Sequence, residues 1–226
     1  MTFSIAGTCS DTGEIGYAVA TSSVCVGARV GMAGPGLCVV FSQARTDPRL
    51  HQVGFDAFRR THDAKAALNA MRDAAIQPEW RQLGVFAMDG SSSHHTGSGC
   101  LDHAGGIQGH GCLALGNAIA SAAVLEAMVS GFENTKGPLA ARLIAGLKGG
   151  EQAGGEINPL QSACLRVYGE YDFPVADIRI DKHEDSIGEL SALWDDWSVK
   201  ADDYILRALD PGSAKPSDEI ERLSAG

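Results

Sequence analysis

The sequence predicts an α+β protein in which two central β-sheets lie between outer layers of helix. Segments with strand character alternate with segments of helical spacing, in the order strands, helices, strands, helices, strands, helix. The first two strand segments, residues 2–7 and 16–21, are apolar along most of their length, so both of their faces need cover. Two sheets covered on the outside by helices fit this pattern better than a parallel doubly wound sheet.

The amino-terminal part predicts four strands followed by two helices. The strands are expected at residues 2–7, 16–21, 24–30 and 36–43. Asp11-Thr12-Gly13 is typical of a turn, so the first two strands are predicted to form a hairpin. Helical spacing covers residues 49–60 and 64–73, and Asp63 is the expected cap of the second helix.

The rest of the chain predicts further strands and three helices. Strands are expected at 82–88, 91–96, 160–168 and 176–181, with a strand pair or one bent strand at 105–115. Helices are expected at 121–133, at 139–147 with Pro138 in its first turn, and as one long amphipathic helix at 186–209. Since no boundary interrupts this order, residues 1–210 are predicted as a single domain and 211–226 as a flexible tail.

Composition excludes several classes of partner. The formal net charge of −10 argues against nucleic acid and against an anionic membrane surface. The start of the chain does not resemble an export signal, and no apolar stretch is long enough to span a bilayer. The six cysteines are scattered through apolar sequence, which is typical of reduced, buried thiols. A cytoplasmic protein is therefore expected.

Threonine at position 2 follows the initiator methionine and heads the first strand. Removal of Met1 would give Thr2 both a hydroxyl and a free α-amine, and an amine with a pKa of about 8 can serve as the base for that hydroxyl. Position alone favours a simpler interpretation, in which Thr2 is only the first residue of an edge strand.

Several segments together resemble a bacterial family labelled as a domain of unknown function, DUF1028. They occur in order from Thr2 to about Leu193 and include Thr2-Phe3-Ser4-Ile5, Gly16-Tyr17-Ala18-Val19-Ala20-Thr21-Ser22, Arg81-Gln82, His95-Thr96-Gly97, Gly116-Asn117, Gln161-Ser162-Ala163 and Ile180-Asp181-Lys182-His183. The resemblance implies a four-layer α-β-β-α sandwich of the N-terminal-nucleophile (Ntn) hydrolase type. It also implies an active site at the mouth between the sheets, beginning with Thr2.

Acyl transfer is the reaction expected of an exposed Thr2. Its hydroxyl would attack an amide carbonyl, and the resulting oxyanion needs preorganised donors. Asn117 is the candidate side-chain donor, and Gly116 before it allows the backbone to approach closely. The alternative is a simple turn in which Asn117 caps the following helix.

Other candidate residues follow the ends of predicted strands. Ser22 is expected to help catalysis by orienting the amine, with Ser23 beside it, although both could equally close a strand. The predicted substrate-binding residues are Ser23, Gln43, Asp47, His95, Gly116 and Gln161. Asp47 enters this set because Thr46-Asp47-Pro48 is typical of a turn, and His95 because its tripeptide belongs to the family resemblance.

The segment 94–112 is rich in histidine and cysteine, which raises the possibility of zinc. Its spacing matches no common zinc module, so no metal and no cofactor are expected. The sequence predicts a cytoplasmic hydrolase of a small amide or related C–N bond, and Trp194 and Trp197 suggest the contact face of a homodimer. A non-catalytic ligand-binding or scaffold protein and a zinc-dependent hydrolase are the alternatives.

Overall fold

The computed structural model describes residues 1–101 and 103–224. The strands are β1 (Thr2–Cys9), β2 (Glu14–Thr21), β3 (Gly31–Ala33), β4 (Cys38–Ala44), β5 (Arg81–Ala87), β6 (Ser92–Thr96), β7 (Gly105–Gly109), β8 (Cys112–Asn117), β9 (Ser162–Tyr168) and β10 (Pro174–Ile180). The helices are α1 (Arg49–Thr61), α2 (Ala64–Ala74), α3 (Ala123–Asn134), α4 (Leu139–Gln152), α5 (Ser186–Ser198), α6 (Ala201–Leu209) and α7 (Ser217–Ile220). Within these ranges, no helix is long and apolar enough to cross a membrane.

The strands form two antiparallel sheets, which confirms the predicted fold class. One sheet has six strands in the order β10-β9-β2-β1-β8-β7, and the other has four in the order β3-β4-β5-β6. Each named pair of neighbouring strands is antiparallel. The predicted β1–β2 hairpin is present, and the chain 105–115 forms a strand pair rather than one bent strand.

The layers follow from the side-chain alternation of each strand. In β1, Phe3 and Ile5 pack in the apolar cluster beneath α3, α4 and α5, whereas Ala6 packs in the cluster between the sheets. Helices α1 and α2 cover the outer face of the four-stranded sheet. The order helix, sheet, sheet, helix explains why the central strands are apolar on both faces.

The segment 24–30 was predicted as a strand, and that prediction is wrong. It forms a 3₁₀ turn at Val26–Ala28, preceded by Cys25 in the left-handed region with φ of 57°. The Val26 backbone N donates to Ser162 Oγ at 3.1 Å, so this loop finds hydrogen-bond partners outside a ladder. A Cβ on Gly27 would lie 2.6 Å from the Arg179 side chain, which shows how closely β10 approaches the loop.

The predicted long helix at 186–209 is two helices that meet at Val199 and Lys200. Lys200 is buried, and its Nζ lies 2.9 Å from Asp196 Oδ1 and 3.4 Å from Glu221 Oε2. The second partner comes from beyond α7, where Ile220 is fully buried. The mobility of 211–226 stays a prediction, and its last two residues lie outside the described part of the chain.

Two details differ from the expected helix ends and surface. Pro138 is the N-cap of α4 and not part of its first turn. Trp194 and Trp197 are half-buried against the protein's own core, and Trp197 Nε1 donates to Val175 O at 2.9 Å. Because these rings are turned inwards, they form no open stripe, and the homodimer stays a prediction.

Candidate active site

At one edge of the sandwich, the side chains that face the space between the sheets change from apolar to polar. Along five strands the inward residues, starting at that edge, are Thr2, Ser4 and Ala6; Thr21, Val19 and Tyr17; Gln43, Phe41 and Val39; Gln82, Gly84 and Phe86; and Asn117, Leu115 and Leu113. We call the polar end of this layer, with Thr96 of β6, the polar cluster: Thr2, Ser4, Thr21, Gln43, Gln82, Thr96 and Asn117.

Thr2 begins the strand that lies between β2 and β8 at the centre of the six-stranded sheet. It is 5% exposed, its hydroxyl oxygen is 3.3 Å from that of Thr21, and its cross-strand partner is Asn117. The interpretation of Thr2 as part of an edge strand is therefore wrong. The order of strands places Thr2 between two neighbours that each bring a polar side chain to the same edge.

Gln82 is the hub of the polar cluster. Its Oε1 accepts hydrogen bonds from Gln43 Nε2 at 2.7 Å and from Asn117 Nδ2 at 3.0 Å. Its Nε2 has three acceptors within 3.0 Å, namely Thr96 Oγ1, Gly105 O and Gly116 O. Gln82 thus joins both sheets through buried hydrogen bonds, which are strong and directional in such a setting.

Gln43 extends the hydrogen-bonded chain towards β1. Ser4 Oγ donates to Gln43 Oε1 at 3.0 Å, so Gln43 uses both ends of its amide inside the protein. Gln43 and Ser4 are fully buried. The predicted pocket residue Gln43 lies beneath the surface of the site, where it supports Gln82.

The capping alternative for Asn117 is wrong. The N-cap of α3 is Ala122, and no side chain caps that helix. Asn117 is 3% exposed and points between the sheets, where one of its amide protons binds Gln82. The chain turns immediately afterwards at Ala118, with φ of 52°. A side chain at Gly116 would be crowded, because its Cβ would lie 3.0 Å from the Ile119 side chain and 3.1 Å from the Leu125 side chain.

Ser22, Ser23 and Gln161 lie together beside the end of β2. Gln161 holds this end through its backbone N, which donates to Thr21 O at 2.9 Å, and through Nε2, which donates to Ser22 O at 2.5 Å. Ser22 N donates to both oxygens of Glu156 at 3.1 Å. Ser23 is exposed, and its carbonyl accepts from Ser162 Oγ at 2.6 Å. The described contacts of all three serve to shape this loop.

Asp47 has a local ionic partner. Its carboxylate receives two hydrogen bonds from the Arg49 guanidinium, at 2.9 and 2.7 Å, and a third from the Arg49 backbone. These hydrogen bonds lower the pKa of Asp47 to about 2. The Asp47 side chain therefore binds at the start of α1 and forms no hydrogen bond with the polar cluster. Its backbone N donates to Ser42 Oγ, which lies outside that cluster.

His95 is not brought to Thr2. Its cross-strand partner Leu83 belongs to the cluster under α1 and α2, and His95 Nε2 lies 3.1 Å from Pro78 O. Adjacent residues of a strand point to opposite faces, so Thr96 is the residue of that tripeptide that reaches Gln82. Within residues 1–101 and 103–224, no group of three His, Cys, Asp or Glu side chains is arranged to hold a metal ion.

Backbone strain occurs around the same edge. Ala44, at the end of β4, and Ala118, just after β8, have φ of 67° and 52°, and Cys25 beyond β2 has 57°. A non-glycine residue in this region costs about 1–3 kcal/mol, and such residues are frequent at functional sites. Ala44 and Ala118, at the ends of strands that carry Gln43 and Asn117, place such strain beside the polar cluster, and we take this edge as the candidate active site.

Comparison with known proteins identifies the family. The model of DUF1028, a family of unknown function, matches residues 2–190, and the chain belongs to that family. A crystal structure of protein SPO2555 from Silicibacter pomeroyi, also assigned to DUF1028, is similar with 29% identity and a TM-score of 0.84, covering 90% of this chain and 89% of that one.

A more distant likeness is to Anbu (ancestral beta-subunit) from Yersinia bercovieri, with 11% identity and a TM-score of 0.41, covering 95% of this chain and 99% of that one. No curated protein matches the chain.

Four members of the polar cluster escaped the sequence interpretation, namely Ser4, Thr21, Gln82 and Thr96. Alternation could have found Ser4, Thr21 and Gln82, because each occupies an inward position of a strand whose deeper inward residues, such as Ala6, Val19 and Phe86, are apolar. Glu156 follows a glycine pair in a loop, and only the fold brings that loop to Ser22.

Proposed function

We propose that this protein is an Ntn hydrolase that cleaves a small amide or related C–N bond with Thr2 as the nucleophile. The observation that supports this most is the position of the Thr2 hydroxyl, at the start of a central strand and within a cluster of buried amide and hydroxyl groups. A hydroxyl needs a base and an oxyanion needs donors, and this edge of the fold offers candidates for both.

In the proposed reaction the Thr2 hydroxyl attacks the substrate carbonyl, and its own α-amine accepts the hydroxyl proton. The tetrahedral oxyanion is stabilised by the Asn117 amide, which has one proton bound to Gln82 and carries a second. The amine then passes the proton to the leaving nitrogen as the C–N bond breaks. Water hydrolyses the resulting ester and restores the hydroxyl.

Met1 separates this proposal from its rival, a non-catalytic binding protein on the same fold. With Met1 attached, the Thr2 nitrogen is a peptide amide and cannot act as base. In the structure the Met1 carbonyl accepts hydrogen bonds from the Thr2 and Thr21 hydroxyls, and Met1 Sδ lies 3.0 Å from Asn158 Nδ2. These contacts favour the rival for any protein that keeps Met1.

Intact-mass measurement of protein purified from its own cells without a tag tests the first requirement. We expect the mass to be lower by one methionine residue, because a small residue such as threonine at the second position favours removal of the first. A population that retains Met1 in full would contradict the proposed mechanism and favour the binding protein.

Thr2→Ala is the direct test of the nucleophile. Substrates would be a panel of N-acetyl amino-acid p-nitroanilides, together with a β-lactone whose ring opening by the hydroxyl leaves an ester with the whole mass of the lactone. We expect Thr2→Ala to lower turnover and acylation by about 10³-fold or more, since the attacking oxygen is lost. Thr8→Ala, at the other end of β1, is the matched control and should keep both activities.

The partner and location of the protein belong to the same proposal. We expect a small amide-like molecule as the substrate, because the amide and hydroxyl groups of the cluster can form hydrogen bonds with its carbonyl and N–H groups. The six cysteines, all free thiols in the structure, fit a reducing compartment such as the cytoplasm. A homodimer remains part of the proposal, to be checked by light scattering of the untagged protein.

A further inference from the structure

Glu156 carries a buried carboxylate that the mechanism above does not use. It is 7% exposed and lies in the loop between α4 and β9, after Gly154 and Gly155, which have φ of 115° and 55°. Both of its oxygens accept from the backbone N of Ser22 at 3.1 Å. One backbone donor satisfies little of a carboxylate's capacity, and a buried carboxylate without a cation is costly.

The position of Glu156 is fixed by the two strands that flank β1. On one side it binds Ser22, the residue directly after β2. On the other side it forms an isolated antiparallel bridge with Ile119, two residues after β8. The strand β1 lies between β2 and β8 and begins at Thr2. Because Glu156 contacts the residues that follow both neighbouring strands, it lies in front of the start of β1.

The electrostatics agree with this placement. Burial raises the pKa of the Glu156 carboxyl, whereas the hydrogen bond from Ser22 and the positive charge of the chain start oppose that rise. The Cys100 thiol, which follows β6, also responds to the chain-start charge, although burial raises its pKa overall. Glu156 and Cys100 thus both respond to the positive charge at the start of the chain, which in the structure is the Met1 amine. Among the described residues, no lysine or arginine forms an ion pair with Glu156.

We propose that Glu156 anchors the α-ammonium of Thr2 once Met1 has been removed, and so positions the amine beside the Thr2 hydroxyl. This inference rests on the proposed function, because it requires the free amine. Glu156 is then a positioning residue, which acts on the substrate only through the amine. Its negative charge stabilises the protonated amine, so acylation increases as the pH rises through the pKa of that amine.

The pKa of the Thr2 α-amine tests the proposal without a substrate. The full chain is produced behind a fusion partner whose protease leaves Thr2 as the first residue, so the test does not depend on methionine removal in cells. Acetylation with limiting acetic anhydride at a series of pH values, followed by mass spectrometry of the amino-terminal peptide, gives the pKa. The exposed Lys182 amine in the same digest is the internal reference.

We expect the pKa of the amine to fall by about 1 unit in Glu156→Gln, because an opposite charge at this range shifts a pKa by that order. Below both pKa values the amine of this variant should be acetylated about tenfold faster than that of the wild type. Glu156→Asp should fall between the two, and Thr2→Ala should keep the wild-type value because it keeps the amine.

The same pKa in wild type and Glu156→Gln overturns the proposal. If Glu156→Gln does not fold, the wild-type protein still decides, since an amine pKa at or below the ordinary value of about 8 also overturns it. Failure of the proposed function gives a different result. Full turnover by Thr2→Ala would show that Thr2 is not the nucleophile, whereas it would not change the amine pKa values on which the role of Glu156 is judged.

Discussion

The layer between the two sheets has two ends built from the same strands and different chemistry. Towards the interior the inward side chains are Tyr17, Phe41, Phe86, Leu113 and Leu115, which pack as an apolar core. At the edge near Thr2 the same strands carry the buried members of the polar cluster, which are joined by hydrogen bonds through Gln82. Both ends belong to the same strands. The difference between them therefore lies in the residue types that each end carries.

The difference shows that stability alone does not explain the polar end. A buried hydrogen-bonded amide contributes about 1 kcal/mol net, and well-packed apolar side chains in its place are often neutral or stabilising. A single missing partner is costly in return, because the remaining groups are left unsatisfied. Five strand ends that stay polar, with strained backbone at Ala44 and Ala118 beside them, are the features on which the proposed function rests.

Of the variants that compare the polar end with the rest of the protein, Asn117→Ala should have the largest effect on the rate of acylation. We expect acylation by the β-lactone to slow by about 10²–10³-fold, because one preorganised donor to the oxyanion is removed. Gln108→Ala is the matched control, since Gln108 is an amide side chain that contacts Ser92 Oγ and Gly90 O away from the cluster. Equal rates for the two variants would contradict the role of Asn117.

Gln82→Met tests the hub through stability. We expect the free energy of unfolding in urea to fall by about 2–3 kcal/mol, because the amides of Gln43 and Asn117 lose their acceptor. Phe86→Leu, further along the same strand, should cost less than about 1.5 kcal/mol, since it exchanges one apolar side chain for another. A smaller loss for Gln82→Met than for Phe86→Leu would show that the cluster is not a connected network.

The smallest effect concerns Asp47, which lies just outside the cluster. The Arg49 guanidinium lowers its pKa to about 2, below the ordinary 3.8, so its contribution to stability is complete above pH 4 and is lost as the pH falls through 2. Because Arg49 is exposed, solvent screens the pair, and Asp47→Asn should lower the Tm by about 1–3 °C at pH 6. The Tm difference should vanish near pH 2; a difference that persists there would have another cause.

Much of the fold could be predicted because strands, helices and turns have signals in neighbouring residues of the sequence. The β1–β2 hairpin follows from a turn between two apolar runs, and α2 begins at the expected cap, where Asp63 accepts from Lys65 N at 2.8 Å. The errors share one cause. Residues 24–30 and the break at Lys200 depend on partners far away in the sequence, Ser162 and Glu221, that no local pattern contains.

The candidate site divides in the same way. Thr2, Gln43 and Asn117 were identified from the sequence, and alternation along single strands also contained Thr21 and Gln82. His95 lies on the face of β6 that packs towards α1 and α2, a face that packing and not local pattern decides, and its role in binding substrate stays a prediction.

The sequence by itself determined the two sheets, their helical cover and the threonine behind Met1, since strand and helix periodicity and residue order are local properties. Only the tertiary structure decided that β1 lies between β2 and β8, that Gln82 joins both sheets, and that Glu156 stands before Thr2. These facts depend on contacts between residues as far apart as Ser22 and Glu156, and such contacts form only when the whole sandwich assembles.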